Sequence, residues 1–138
     1  MKLGARMLND VSGVNSFEYA ETHEMTSGEQ TDVYFQLQDN TKNQANSYFY
    51  PAGLRYMPAT GATLQCTLQS INDDRTVTRY ATQPWPTQDP SIWKLSLLTT
   101  DDVRGTVAMQ LLLTEGGTVR RGTVQRAIQA DTGSGAYC

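Results

Sequence analysis

The chain has 138 residues and a formal net charge of −3, with 18% charged and 38% hydrophobic side chains. This length suits a single domain, and the mild acidity argues against nucleic acid or an anionic membrane as the main partner. No apolar run approaches the ~20 residues of a membrane span, and the start of the chain lacks the apolar segment of a secretory signal.

The first thirteen residues predict a pliable N-terminal arm. Gly4 and Gly13 interrupt the segment, and its apolar residues show no periodicity strong enough to fold alone. We therefore expect the arm to become ordered on a neighbouring subunit, where each buried apolar side chain contributes ~1.5–3 kcal/mol. Its candidate interface residues are Leu3, Met7, Leu8 and Val11.

Residues 14–129 predict an all-β domain, an antiparallel β-sandwich of the immunoglobulin-like or jelly-roll-like type with seven to eight short strands. Apolar and polar residues alternate along Thr31 to Asp39, Ala62 to Ile71, Ile92 to Leu98 and Thr106 to Glu115, which is the period of a half-buried strand. The inward residues are expected to form one core: Val33, Phe35, Leu37, Leu64, Leu68, Trp93, Leu95, Leu97, Val107, Met109, Leu111 and Leu113.

The connections between the predicted strands contain residues that favour turns and loops. Glu115-Gly-Gly-Thr118 predicts a tight hairpin, because two glycines supply the positive φ angles that such a turn requires. Gln83 to Pro90 contains three prolines and predicts a rigid loop around Trp85. Residues 130–138 predict a flexible C-terminal tail that includes Tyr137, and we count Trp85 and Tyr137 as further candidate interface residues.

Side chains that could carry out chemistry are few and scattered. His23 is the only histidine and has no nucleophile motif beside it. Cys66 lies on the apolar face of a predicted strand, and Cys138 ends the tail, so the two do not form a metal or redox motif. We expect no catalytic residue, no metal, no cofactor and no small-molecule ligand.

Trp85 leaves a binding function open. An exposed aromatic ring on a β-sandwich can stack on a sugar, which makes a carbohydrate-binding or receptor-binding module a rival interpretation. The alternative for Trp85 is packing of the loop onto the domain or onto a neighbour, since tryptophan is enriched at interface hot spots.

Three segments resemble small β-sandwich virion proteins of tailed bacteriophages, which occur in tails, baseplates, collars and fibre-attachment points. They are Leu54-Arg-Tyr-Met-Pro-Ala-Thr-Gly-Ala-Thr-Leu-Gln65, Ser91-Ile-Trp-Lys-Leu-Ser-Leu97 and Gly105-Thr-Val-Ala-Met-Gln-Leu-Leu-Leu-Thr-Glu-Gly-Gly117. The similarity covers roughly residues 30–128 and lies in the general character of the segments and in their order along the chain. It implies a structural, non-enzymatic role in a virion that is assembled in the host cytoplasm.

The partners implied by the resemblance are copies of the chain itself and other virion proteins. The expected position is the tail, baseplate or fibre-docking region. A capsid decoration or head-fibre protein is the first alternative, and the carbohydrate-binding or receptor-binding module is the second.

Overall fold

The computed structural model of the chain describes residues 1–13, 16–43, 53–71, 75–85, 89–101 and 103–131, with the backbone alone described for 9–13, 16–19, 42–43 and 53–54. The described residues form ten strands. They are β1 (Leu3–Gly13), β2 (Ser16–Ala20), β3 (His23–Thr26), β4 (Thr31–Asn43), β5 (Gly53–Arg55), β6 (Thr63–Ser70), β7 (Thr76–Ala81), β8 (Ile92–Leu97), β9 (Gly105–Glu115) and β10 (Thr118–Asp131).

The ten strands belong to one sheet with the order β5-β4-β1-β10-β9-β6-β7, while β2 pairs with β1, β3 with β10, and β8 with β4. The prediction of an all-β fold is confirmed. The antiparallel sandwich is not, because β10 pairs in parallel with both β1 and β3, and the mixed sheet curls nearly into a barrel. The count also exceeds the seven to eight strands predicted.

The two ends of the sheet meet at one pair of residues. Thr82, just after β7, and Lys94 in β8 exchange backbone hydrogen bonds of 2.9 and 2.6 Å. Because β8 is already paired with β4, this bridge brings the β7 edge back to the other side of the sheet. The arrangement leaves a single interior for the apolar faces of the strands.

The period-two alternation decides which side chains fill this interior. All twelve residues predicted to form the core are buried and belong to one cluster. Cys66 also lies in this cluster, as expected of a small core residue, and burial raises the pKa of its thiol to about 12. The turn after β9 has φ angles of 52° at Gly116 and 81° at Gly117, which confirms the predicted hairpin.

The N-terminal segment is a strand of this sheet rather than an arm. β1 pairs with β4 from Leu3 opposite Asp39 to Leu8 opposite Tyr34. Leu3, Met7 and Leu8 are only 4%, 1% and 2% exposed within their own subunit, so the interface role predicted for them was wrong. The physical reason is that Leu3 and Met7 share one face of an extended strand and complete the core.

Val11, Tyr137 and the C-terminal boundary complete the comparison with the predicted domain limits. Val11 lies in β1, but its side chain is not described. Residues 132–138, and with them Tyr137, lie outside the described part of the chain. β10 continues to Asp131, slightly beyond the point at which the C-terminal tail was expected to begin.

Adjacent leucines in β9 offer a matched test of the register. Leu111 is 2% exposed and belongs to the core, whereas Leu112 points outward and is half-buried. Leu111→Ala should lower the free energy of unfolding by about 2–5 kcal/mol, because it leaves a cavity in the core. Leu112→Ala, the control in urea melts, should lose clearly less; equal losses would contradict the assignment of the two faces.

Candidate interaction surface

One outward surface of the sheet differs from the rest in its low charge. We call it the outer face, and it consists of alternate residues of β6, β7, β9 and the first half of β10. Arg121 is its only charged member. The outer face comprises Thr63, Gln65, Thr67, Gln69, Thr76, Thr78, Tyr80, Thr106, Ala108, Gln110, Leu112, Thr114, Val119, Arg121 and Thr123.

The outer face follows directly from the same alternation that builds the core. Threonine is favoured on sheets because its branched side chain packs well on a pleated surface. Cross-strand contacts order the face: the hydroxyl oxygens of Thr67 and Thr78 lie 3.1 Å apart, and the Thr106 hydroxyl donates to Gln129 Oε1 at 2.8 Å. The result is a neutral polar surface built on rigid strands.

A shallow groove of about 340 Å³ crosses the outer face over β6, β9 and β10. Its walls include Gln65, Gln110, Leu112 and Arg121. Tyr80 lies opposite Gln65 on the neighbouring strand. It is 66% exposed, more than any other large hydrophobic residue in the described part of the chain. The groove therefore offers amide groups, one guanidinium and a nearby aromatic ring to a partner.

A cluster around Glu115 fixes the end of the sheet at the β9–β10 turn. The Tyr56 hydroxyl donates to Glu115 Oε2 at 2.5 Å, the backbone N–H of Ala59 donates to Oε1 at 3.3 Å, and Arg120 Nε lies 3.4 Å from Oε2. Burial, and then the hydrogen bond to Glu115, raise the pKa of Tyr56. The cluster pins the segment before β6 onto the hairpin.

A second cluster fixes the opposite end. Arg79 Nη2 lies 2.5 Å from Asp101 Oδ1, and Asp101 Oδ2 accepts a hydrogen bond from the backbone N–H of Leu98 at 2.8 Å. Asp101 is buried, whereas the Arg79 side chain is 40% exposed. These bonds hold the segment from Leu98 to Asp101 against β7, and Val103 lies in the core.

Trp85 is partly buried and belongs to the connection between β7 and β8 rather than to a strand of the outer face. Its carbonyl accepts a hydrogen bond from the backbone N–H of Asp89 at 3.0 Å. Asp89 in turn accepts from the Ser91 hydroxyl and lies 3.4 Å from Arg55. A backbone hydrogen bond thus joins Trp85 to Asp89, and Trp85 keeps part of its surface in solvent.

His23 lies in β3 beside Ile128 of β10 and is half-buried rather than fully on the surface. Burial lowers the pKa of His23, and the negative charge of Glu29 opposes this shift. Among the residues that the structure describes, no group of three or more His, Cys, Asp or Glu side chains could hold a metal ion. The same part of the chain contains no helix long and apolar enough to cross a membrane.

Four of the six predicted interface residues have described side chains, and these do not form one exposed patch. Leu3, Met7 and Leu8 are buried in the subunit, and Trp85 stands alone at a loop. The sequence interpretation did not single out Tyr80 or the outer face, although the alternation along β6, β7 and β9 carried the signal. Comparison of the chain with protein-family models, with curated proteins and with solved structures finds no significant match.

Proposed function

We propose that the chain is a structural component of a tailed-phage virion, in the tail, baseplate or fibre-docking region, and that it acts by protein–protein assembly. The resemblance of its three segments to small virion proteins suggests the setting. The observation that carries the proposal is the outer face, because Arg121 is the only charged residue among the outward residues that form it.

Low charge matters because a partner must displace the water on the surface that it covers. Removing a charged side chain from water is far more costly than removing a hydroxyl or an amide that finds a new hydrogen bond. The buried centres of protein interfaces are accordingly poor in charge and rich in aromatic residues. The outer face shares this low charge, and Tyr80 supplies one exposed aromatic ring at its side.

Rigidity supports the same role. The sheet returns on itself at Thr82 and Lys94, and the clusters around Glu115 and Asp101 fix its two ends. A rigid body loses little conformational entropy when a partner binds, so more of the contact energy remains as affinity. A component with these properties suits repeated contacts in a particle.

Two pairs of Gln→Glu changes test the proposal in the phage that encodes the chain. Gln65→Glu with Gln110→Glu adds two charges to the groove, and Gln30→Glu with Gln125→Glu adds the same charges at exposed positions elsewhere. Both purified variants should keep the free energy of unfolding within about 0.5 kcal/mol of the parent. The groove variant should be incorporated into particles at least about tenfold less than the control, as measured by quantitative mass spectrometry, since 1.4 kcal/mol is tenfold in an equilibrium constant.

Two results would contradict this account. If the groove variant is incorporated as well as its control, the outer face is not the assembly surface. If the parent chain is absent from purified particles, the virion role itself fails. Gold labelling of a tagged chain locates it within the particle, and a label spread over the capsid would replace the tail position by a capsid decoration or head-fibre role.

A glycan-binding role is the second candidate, favoured by the amide-lined groove beside Tyr80 and by the partly exposed ring of Trp85. We expect a glycan array probed with the intact chain to show no binding. A reproducible millimolar or tighter ligand that is lost in Trp85→Ala or Tyr80→Ala, with the fold intact by circular dichroism, would replace the structural proposal by the binding-module one.

A further inference from the structure

One edge of β7 carries unpaired backbone groups. The backbone N–H of Ser70 donates to the carbonyl of Arg75 at 2.9 Å, so this facing pair is a hydrogen-bonded one. The register of β6 with β7 then decides which of the following pairs are hydrogen-bonded. In an antiparallel pair alternate residues bond across the strands. The N–H and C=O groups of Val77 and Arg79 therefore point to β6, and those of Thr76, Thr78 and Tyr80 point away from it.

The neighbour that should cover this edge, β8, does so only at Thr82 and Lys94. Beyond that bridge, the backbone groups of Leu98 bond to Asp101, and the chain turns inward to the buried Val103. A groove of about 440 Å³ opens beside β7 and is lined by Arg75, Thr76, Val77, Arg79, Thr100 and Asp101. Within the described residues, Thr76, Thr78 and Tyr80 have no backbone partner on this side.

This edge lacks the usual protection against pairing. Natural edge strands are commonly blunted by lysine, proline or outward charges. β7 reads Thr-Val-Thr-Arg-Tyr-Ala, without Lys or Pro, and its single charge, Arg79, is held by Asp101. Thr76 and Thr78 are exposed and Tyr80 is 66% exposed, so a second strand can reach the edge from the side of the outer face.

We propose that β7 is a self-association site, at which the β7 strands of two copies of the chain pair antiparallel about a twofold axis at Thr78. This inference rests on the assembly function proposed above and names one partner for it. The pairing would form about six backbone hydrogen bonds, two for each facing pair among Thr76, Thr78 and Tyr80. A twofold contact of this kind closes as a dimer because the same surface is used on both copies.

The sequence of β7 favours a second copy as the occupant because it complements itself. In the antiparallel arrangement Thr78 faces Thr78, Tyr80 faces Thr76, and Arg79 faces Val77. Threonine pairs and aromatic–threonine pairs stabilise neighbouring strands, and no like charges face each other. The pairing also brings the low-charge outer faces of the two copies side by side and covers the exposed ring of Tyr80.

The test uses two changes at one position. Thr78→Pro removes the N–H that points to the partner, at an edge position where proline is tolerated. Thr78→Ala keeps this N–H and is the matched control. Sedimentation over roughly 1–500 µM should show dimerisation of the parent chain, a dissociation constant raised at least tenfold by Thr78→Pro, and a change below about threefold in Thr78→Ala.

Amide hydrogen exchange of the parent chain keeps the inference testable if the proline variant does not fold. On raising the concentration, the amides of Thr76, Thr78 and Tyr80 should become protected, whereas those of Val77 and Arg79 are protected throughout because they bond to β6. This alternation is specific to strand addition.

Other outcomes overturn the self-association site. A parent chain that stays monomeric over the whole range, or a dimer whose formation leaves the three edge amides unprotected, contradicts it. Protection that appears only in assembled particles would assign the edge to a strand from a different virion protein. In that case the assembly function stands, whereas absence of the chain from particles would remove that function and leave a dimer in solution unaffected.

Discussion

The close approach of β1 to β10 is the constraint on which the rest of the structure depends. β1 stands between β4 on one side and β10 on the other, and it meets β10 through Leu3 opposite Gly122. A Cβ atom on Gly122 would collide with the backbone of Leu3. Glycine at this position therefore lets the two halves of the sheet join, and the return through Thr82 and Lys94 then encloses one core.

Alternation along single strands was the part of the fold that the sequence could reveal. The apolar side chains of Val33 to Leu37 and of Val107 to Leu113 lie on one face of their strands. This alternation is enough to predict a strand that is buried on one side. The same period was present in Leu3, Ala5 and Met7, but Gly4 and the polar Asn9 and Asp10 obscured it. The sequence alone therefore predicts an arm where the structure has a strand.

Pairing between distant strands was beyond the reach of sequence patterns. The parallel neighbours of β10 are β1 and β3, which lie more than ninety residues away along the chain. Their local sequence patterns do not indicate that they pair with β10. A sandwich and a nearly closed mixed sheet use the same alternating strands, so the two cannot be separated by periodicity. The difference lies in which edges meet, which here depends on Gly122 and on the single bridge at Thr82.

The candidate surface was hidden for a related reason. Threonine and glutamine on the outward side of a strand are ordinary in a β protein, so the low charge of the outer face becomes visible only when β6, β7, β9 and β10 are placed side by side. The free edge of β7 becomes visible only from the register with β6, which decides which backbone groups of β7 point away from β6. By contrast, Trp85 is visible in the sequence as an aromatic residue between two prolines, but it belongs to neither feature.

Substitution at Gly122 tests the closure of the sheet most directly. Gly122→Ala should lower the free energy of unfolding in urea melts by about 1–3 kcal/mol or more, because the added methyl group forces β1 away from β10. Thr123→Ala is the control, because Thr123 is the next residue and its side chain points outward. Its free energy of unfolding should stay within about 0.5 kcal/mol of that of the parent. A Gly122→Ala variant as stable as this control would contradict the close approach of the two strands, and with it the account of how the sheet closes.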